Sequence, residues 1–307
     1  MSRAGRHALR LSASLCILSG LAACGALDVV NSVSPSDSYE SREGIAYGSR
    51  SRQLLDVYVP VDGAGAAPVV VFFYGGGWRD GARGDYAFVA SSLTRAGFVV
   101  VIPDYRLYPE VVFPDFVADA ASAVAWSLDN VSLYGGDPGE IHVMGHSAGA
   151  HLAALLATDG RYLGDHGRSP TDLAGLIGLS GPYDFLPIES GYLLEVFPES
   201  LRERSQPINY VSPDVPRTLL IHGGDDSTVE PGNSRRFAEA LRGQGVDVTL
   251  DIYPGIGHGR VVVALAPPLD FWGRTLEDCV TFIRAARPSK SYAVPAGPVS
   301  GVAPASP

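Results

Sequence analysis

The sequence predicts an α/β fold with a mostly parallel central sheet and helices on both of its faces. Continuous runs of β-branched and aromatic residues at Pro68–Tyr74 and Gly97–Pro103 are typical of strands buried on both faces. Amphipathic helical patterns alternate with such runs, as in Asp115–Asp129, where apolar residues recur every four positions. This alternation indicates parallel strands that are joined by crossover helices.

The remaining elements continue the alternation along the chain. Alternating apolar and polar residues at Leu55–Val59 predict an edge or half-buried strand. Further strands are predicted at Ile141–Met144, Leu173–Leu179, Arg217–Ile221 and Val246–Tyr253. Further helices are predicted at Asp85–Ala96, Ala148–Ala157, Asn233–Arg242 and Leu269–Ala286. The segment Phe185–Pro216 interrupts the pattern, which predicts a small cap over the functional site.

The N-terminal residues have the composition of an export signal. Three arginines precede the apolar run Leu11–Leu21, which is too short to span a bilayer, so residues 1–23 are expected to be cleaved. The run ends in Leu-Ala-Ala-Cys, which resembles a bacterial lipobox and makes Cys24 the predicted lipidation site. The chain would then be exported and anchored by lipid to a membrane of the bacterial cell envelope. The alternative is an ordinary secretory signal in which Cys24 is incidental.

The boundaries of the folded part follow from composition. Residues 24–42 are predicted to be a polar tether, because Ser, Pro and Asp dominate and no apolar period is present. Residues 287–307 contain mainly Pro, Ala, Ser and Gly, which predicts a disordered tail. Residues 43–286 remain as one domain.

Charge and cysteine content exclude some classes of function. A net charge of −10 makes nucleic acid an unsuitable partner. The chain has 3 cysteines, of which Cys16 would leave with the signal and Cys24 would be lipidated. Cys279 lies in a helical pattern and is expected to be a buried, small apolar residue, so no internal disulfide is expected.

One serine lies in a motif that is typical of a nucleophile. Ser147 is the centre of Gly145–Gly149, a G-x-S-x-G that follows a predicted strand and precedes a predicted helix. Such a sharp turn leaves no room for side chains beside the serine, and it exposes the hydroxyl at a helix N-terminus that favours negative charge. Ser147 is therefore the candidate nucleophile.

A serine hydroxyl needs a base, and the base needs an acid that orients it. Only His258 follows a plausible acid in the order Ser, Asp, His, and it lies in a glycine-rich segment predicted to be a flexible loop. Asp226, after the strand Arg217–Ile221, is the preferred acid. Asp225 is the second choice and Asp184 a remote third.

The glycine run after the strand Pro68–Phe73 supplies the remaining part of such a site. Three glycines after Tyr74 leave backbone N–H groups accessible, and Gly76, Gly77 and Ala148 are the predicted oxyanion donors. A phosphate cradle is disfavoured because the sequence has no G-x-x-x-x-G-K-[ST]. The sequence also has no H-E-x-x-H and no cysteine cluster, so no metal or other cofactor is expected.

With these motifs the chain resembles α/β-hydrolase carboxylesterases that carry an HGGGW-type loop, including hormone-sensitive-lipase-like, feruloyl and acetylxylan esterase-like, and kynurenine formamidase-like proteins. The stretches Tyr74–Trp78, Asp104–Glu110, Gly145–Gly149 and His222–Val229 carry the resemblance. Tyr74 stands where the family usually has histidine. The resemblance implies that Asp104 and Arg106 form a structural ion pair behind the glycine loop.

The resemblance and the candidate residues predict a serine carboxylesterase that cleaves a small-molecule ester through an acyl-enzyme. An amide or peptide hydrolase with the same three residues is the first alternative. A non-catalytic binding protein with the same fold is the second, and the presence of all three residues counts against it.

Overall fold

The computed structural model describes residues 27–63, 65–189 and 191–285. In this part of the chain eight strands form a single sheet in the order β1-β2-β4-β3-β5-β6-β7-β8. The strands are β1 (Tyr39–Ala46), β2 (Leu54–Pro60), β3 (Ala67–Phe73), β4 (Val99–Pro103), β5 (Gly136–His146), β6 (Gly175–Leu179), β7 (Thr218–Gly223) and β8 (Val248–Tyr253). From β4 to β8 neighbouring strands are parallel, whereas β2 is antiparallel to both β1 and β4.

Helices connect the strands and pack against the sheet, as the sequence predicts. They are α1 (residues 27–33), α2 (Ala87–Arg95), α3 (Asp115–Asn130), α4 (Ala148–Thr158), α5 (Gly160–Gly164), α6 (Leu193–Val196), α7 (Gly232–Gly243), α8 (His258–Val263) and α9 (Thr275–Arg284). Residues Val69–Phe73 of β3 and all of β4 are buried because helices cover both faces of the sheet. The fold class predicted from sequence is confirmed.

The segment between β6 and β7 forms the cap that its irregular composition predicts. It consists of α6 and short 3₁₀ turns up to Tyr210. The cap begins where β6 ends, so it lies over the carboxyl ends of the parallel strands. We refer to these strand ends as the carboxyl edge, and to the opposite ends as the amino edge.

The N-terminal boundary of the folded part differs from the prediction. Residues 27–33 are helical, and β1 already includes residues 39–42, which the sequence assigns to the tether. β1 has little apolar periodicity because it is an exposed edge strand, so its pattern resembles that of a polar linker. Its presence also makes β2 an internal strand rather than an edge.

Two elements near the C-terminus also differ from the sequence prediction. The single helix expected at Leu269–Ala286 is a 3₁₀ turn, Pro267–Trp272, followed by α9. Gly273 separates the two elements. A side chain would not fit at this position, because a Cβ there would lie 2.8 Å from the ring of Tyr253. Cys279 is buried in α9, as predicted, and burial raises the pKa of its thiol above the usual range.

No helix within the described ranges is both long and apolar enough to cross a bilayer. The predicted signal, the lipidation site Cys24 and the tail 287–307 lie outside the described residues.

Candidate active site

The turn at Ser147 has the geometry of a nucleophile elbow. Ser147 connects β5 to α4 with a φ of 55°, a left-handed conformation that costs free energy for a residue with a side chain. A Cβ at Gly145 would lie 2.3 Å from the Gly149 carbonyl, and a Cβ at Gly149 would lie 2.0 Å from the Phe73 carbonyl oxygen. Only glycine therefore fits at either flank.

The structure brings Ser147, His258 and Asp226 into one line of hydrogen bonds. The His258 Nε2 is 2.9 Å from the Ser147 Oγ, and the His258 Nδ1 is 2.7 Å from the Asp226 Oδ2. An ionised carboxylate only accepts, so Nδ1 carries the hydrogen and Nε2 accepts from the serine hydroxyl. His258 is the first residue of α8 rather than part of a loop, which corrects the prediction about its surroundings.

Asp226 is buried and is held ionised. Burial alone would raise its pKa, but hydrogen bonds from His222, from His258 and from the Val229 N–H outweigh burial, and the pKa of Asp226 is lowered. The Oδ1 accepts from the backbone N–H groups of Thr228 and Val229, each at 2.9 Å. Both carboxylate oxygens are thus fixed.

Neither alternative acid reaches His258. The Asp225 side chain is exposed, and its backbone N–H donates to the Ile256 carbonyl. Asp184 forms an ion pair with Arg236. The preference for Asp226 over both therefore agrees with the geometry.

His222 is a member of the site that the sequence analysis did not identify. Its ring is fully buried, and its Nε2–H is shared between two acceptors, the Val229 carbonyl at 2.9 Å and the Asp226 Oδ2 at 3.2 Å. Its Nδ1 is 2.7 Å from the Ser234 Oγ. The feature of the sequence that could have identified His222 is its position at the end of β7, four residues before Asp226.

His146, the variable residue of the elbow, is also built into the site. It is buried, and its Nε2 donates to the backbone carbonyl of His258 at 3.2 Å. The two imidazole rings are 4.8 Å apart. Burial, and secondarily the neighbouring His258, lowers the pKa of His146 to about 3, so the ring is uncharged at neutral pH.

The glycine loop lies directly beside the nucleophile. A Cβ at Gly75 would be 3.1 Å from the Ser147 Cβ. Gly76 and Gly77 adopt positive φ values of 120° and 61°, and the Gly76 carbonyl accepts from two N–H groups that follow it. Among the described residues no group accepts the N–H of Gly76, Gly77 or Ala148, so all three donors are available.

Tyr74 supports this loop from behind. Its buried hydroxyl donates to the Asp104 Oδ1 at 2.9 Å and accepts from Arg52 at 2.8 Å. The predicted ion pair between Asp104 and Arg106 is wrong. Asp104 pairs with Arg83. Arg106 pairs with Asp119 on α3, a partner that adjacency in sequence could not indicate.

Aromatic side chains join the cap to the loop and the elbow. Trp78 is buried and its ring packs edge-on against those of His151 and Phe197. His151 donates from Nε2 to the Ser205 carbonyl in the cap at 2.7 Å, so it is a packing residue rather than a base. Tyr192 lies over the loop, because a Cβ at Gly77 would be 2.4 Å from its hydroxyl.

Two further contacts hold the cap in this position. The Arg79 guanidinium lies 4.5 Å from the centre of the Tyr192 ring. The Tyr108 hydroxyl donates to the Glu195 carboxylate. The cap is therefore held both by the end of the glycine loop and by the segment that follows β4.

A serine, an imidazole and an ionised carboxylate in this order, beside free backbone donors, can perform nucleophilic substitution at an acyl carbon. Within the described ranges no cluster of three or more His, Cys, Asp or Glu side chains is arranged to hold a metal ion. The fold and this contact line define the class of α/β-hydrolases.

The chain belongs to the BD-FAE family, whose profile matches residues 55–241. It is similar to a probable isoprenylcysteine alpha-carbonyl methylesterase of Oryza sativa subsp. japonica, with 33% identity over 83% of this chain and 65% of that protein. Esterase LipC of Mycobacterium tuberculosis is 34% identical over 72% of this chain and 60% of its own length. The apo structure of Thermogutta terrifontis esterase 2 matches with a TM-score of 0.69 and 26% identity, covering 81% of this chain and 95% of that one.

The chain spans 50% to 65% of the length of the curated relatives that it matches. The comparisons therefore establish the family to which the chain belongs.

Proposed function

We propose that this protein is a serine carboxylesterase that works through an acyl-enzyme intermediate. The observation that carries the proposal is the continuous contact line from the Ser147 Oγ through both nitrogens of His258 to the Asp226 carboxylate. Relatives named as esterases or carboxylic ester hydrolases support an ester rather than an amide as the substrate.

In the first half of the reaction the Ser147 oxygen attacks the ester carbonyl while its proton passes to the His258 Nε2. Asp226 remains a carboxylate, because its pKa is lowered, and it stabilises the imidazolium that forms. The imidazolium then gives the proton to the alkoxide leaving group. The alcohol departs, and the acyl group stays on Ser147.

The tetrahedral intermediate carries a negative oxygen that needs donors. The N–H groups of Gly76, Gly77 and Ala148 are proposed to supply them, since the loop is next to Ser147 and no protein group in the described chain occupies these donors. Backbone donors that are fixed before the reaction need no reorganisation, and one such donor typically contributes about 10²–10³ in turnover.

In the second half a water molecule takes the place of the alcohol. His258 removes its proton as the oxygen attacks the acyl carbon, and the same proton returns to Ser147 when the carboxylic acid leaves. Each step uses groups of this chain together with substrate or water.

The cap favours a short acyl group. The Tyr192 hydroxyl lies close to Gly77 and narrows the space beside the proposed oxyanion donors. Solved structures of Thermogutta terrifontis esterase 2 include forms that bind butyrate and propionate, and both of these acids are short. We therefore expect acetyl to butyryl esters to be better substrates than octanoyl or feruloyl esters.

A substrate panel tests the function. Acetyl, butyryl, octanoyl and feruloyl esters are compared with an N-formyl amide, and Ser147→Ala is the control for each. Turnover of the short esters that Ser147→Ala abolishes supports the proposal. A preference for the amide would assign the protein to the amidohydrolase alternative, and turnover without Ser147 would remove the proposed nucleophile.

We also propose that the protein is a lipid-anchored envelope protein. The support is the arginine-rich, apolar N-terminal sequence that ends in Leu-Ala-Ala-Cys24. Cys24→Ser should lose membrane association in a bacterial host. Unchanged partitioning of that variant would reject lipidation.

A further inference from the structure

Helix α1 is attached to the domain rather than free. Val30 is buried, with 6% of its surface exposed. The Asn31 Nδ2 donates to the carbonyls of Gly84 and Asp85 at 3.2 and 3.0 Å, and its Oδ1 accepts from the Phe88 N–H at 2.9 Å. These contacts fix α1 on the domain at a defined place.

That place lies on the edge of the sheet that carries the active site. α2 begins after the glycine loop that follows β3 and runs back to the start of β4, so its first residues lie at the carboxyl edge. Phe88 is in the first turn of α2, where N–H groups have no partner within the helix, and Asn31 satisfies one of them. Ser147 and His258 lie at the same edge because they follow β5 and β8.

α1 presents an apolar face away from the domain. Val29 and Val33 are one helical turn apart and remain 62% and 53% exposed, while Val30 faces the core. Exposed valines at this spacing form a stripe that is unfavourable in water and suits an apolar surface.

The distance between the predicted anchor and α1 is short. Leu27 is the third residue after Cys24, and three residues span at most about 10 Å. Acyl chains on Cys24 would therefore hold the start of α1 close to the lipid headgroups, whereas a tether of the predicted length would not.

We propose that α1 turns the carboxyl edge of the sheet, with its active site, toward the membrane, and that Val29 and Val33 contact the lipid surface. An ester dissolved in the membrane would then reach Ser147 without leaving the lipid boundary. The proposal rests on the lipid anchor and on the esterase function proposed above.

The orientation can be measured with two variants of the full lipidated chain, each of which gains one exposed cysteine. Ser200→Cys places a fluorophore on the exposed surface of the cap at the carboxyl edge. Leu133→Cys, a residue 79% exposed in the turn before β5, places it at the amino edge. Cys279 is buried and should not compete for the label. The protein is reconstituted into phosphatidylcholine vesicles that contain a headgroup-attached quencher.

The proposal expects loss of fluorescence for the label at position 200 and no loss for the label at position 133. Equal quenching of both labels, or of neither, would overturn it, and so would failure of the lipidated chain to bind the vesicles. Turnover of a water-soluble acetyl ester by the same samples reports the esterase function separately.

A second pair of variants tests the attachment of α1. Asn31→Ala removes three hydrogen bonds that hold α1, and it should abolish the difference between the two labels while leaving turnover of the water-soluble ester unchanged. Asn130→Ala is the matched control, since the Asn130 side chain donates to the Trp126 carbonyl within α3 and does not contact α1. A label difference that survives Asn31→Ala would show that α1 does not set the orientation.

Discussion

The Nε2 of His222 lies 3.2 Å from the Oδ2 of Asp226, and both side chains are excluded from solvent. The same Oδ2 accepts from the His258 Nδ1 at 2.7 Å. One carboxylate oxygen thus contacts two imidazoles, of which only His258 touches the serine. His222 is therefore a positioning residue that acts through Asp226.

Replacing His222 should lower kcat more than it changes KM. His222→Phe removes a donor to a charged group, which typically contributes about 1.5–3 kcal/mol, so kcat should fall about tenfold to a hundredfold. KM should change little, because His222 faces Asp226 and not the substrate. Steady-state kinetics on a p-nitrophenyl ester gives both constants.

Two controls separate this positioning role from a packing role. His222→Gln keeps an N–H donor and should recover part of the loss. Ser234→Ala removes only the hydroxyl beside Nδ1 and should have a smaller effect. Equal loss in all three variants would indicate that packing, rather than the donor to Asp226, is what matters.

The adjacent aspartates provide a matched test of the acid. Asp226→Asn should lower kcat by about 10⁴, since an amide cannot hold His258 in the tautomer whose Nε2 accepts from the serine. Asp225→Asn should remain close to wild type, because that side chain is exposed and does not contact His258. Similar activities of the two variants would disagree with the contact line seen here.

Much of the site was predictable because its chemistry is local in sequence. Ser147 lies in a motif that its steric surroundings require, and the chain order of α/β-hydrolases then left His258 and an aspartate after β7. The role of His222 and the partner of Asp104 were not predictable, since each depends on residues that only the folded chain brings together.

The elements that are buried were predictable, because burial imposes an apolar pattern on the sequence. The exposed elements carry no such pattern and were not predicted. β3 and β4 are buried on both faces, so their apolar runs identified them. β1 and α1 have mostly exposed or half-exposed residues, so the same residues gave the composition of a tether. α1 is held by side-chain hydrogen bonds of Asn31, which leave no hydrophobic pattern in the sequence.

The elbow glycines should tolerate no side chain. Gly149→Ala would place a Cβ 2.0 Å from the Phe73 carbonyl oxygen, and backbone atoms cannot move aside cheaply. We expect an insoluble protein or a loss of several kcal/mol, about 3 or more, in unfolding free energy.

Gly164→Ala is the control for the elbow substitution, because a Cβ there meets no atom within 4 Å in α5. That variant should keep wild-type stability or gain up to about 1 kcal/mol. Denaturant unfolding of both variants measures the difference. A Gly149→Ala protein of normal stability would contradict the close contact between α4 and β3.

Stability should fall on mild acidification because two histidines are buried without charge. Burial lowers the pKa of His146 to about 3 and that of His151 to about 4, from an ordinary value of 6.5. The unfolded chain takes up protons below pH 6.5 that the folded chain does not, so this stabilisation is complete above 6.5 and is lost toward the folded pKa values. Between about pH 7.5 and about pH 5, each of the two histidines should lower the free energy of unfolding by about 2 kcal/mol.

Asp226 does not contribute in this pH range, since a lowered carboxyl pKa affects stability only below the ordinary value of 3.8. Urea unfolding across this range should therefore show a slope that His151→Gln, which keeps a donor for the Ser205 carbonyl, reduces by about half. His166→Gln, which removes an exposed imidazole, should keep the wild-type slope. An unchanged slope in His151→Gln would show that the buried ring is not the source of the acid sensitivity.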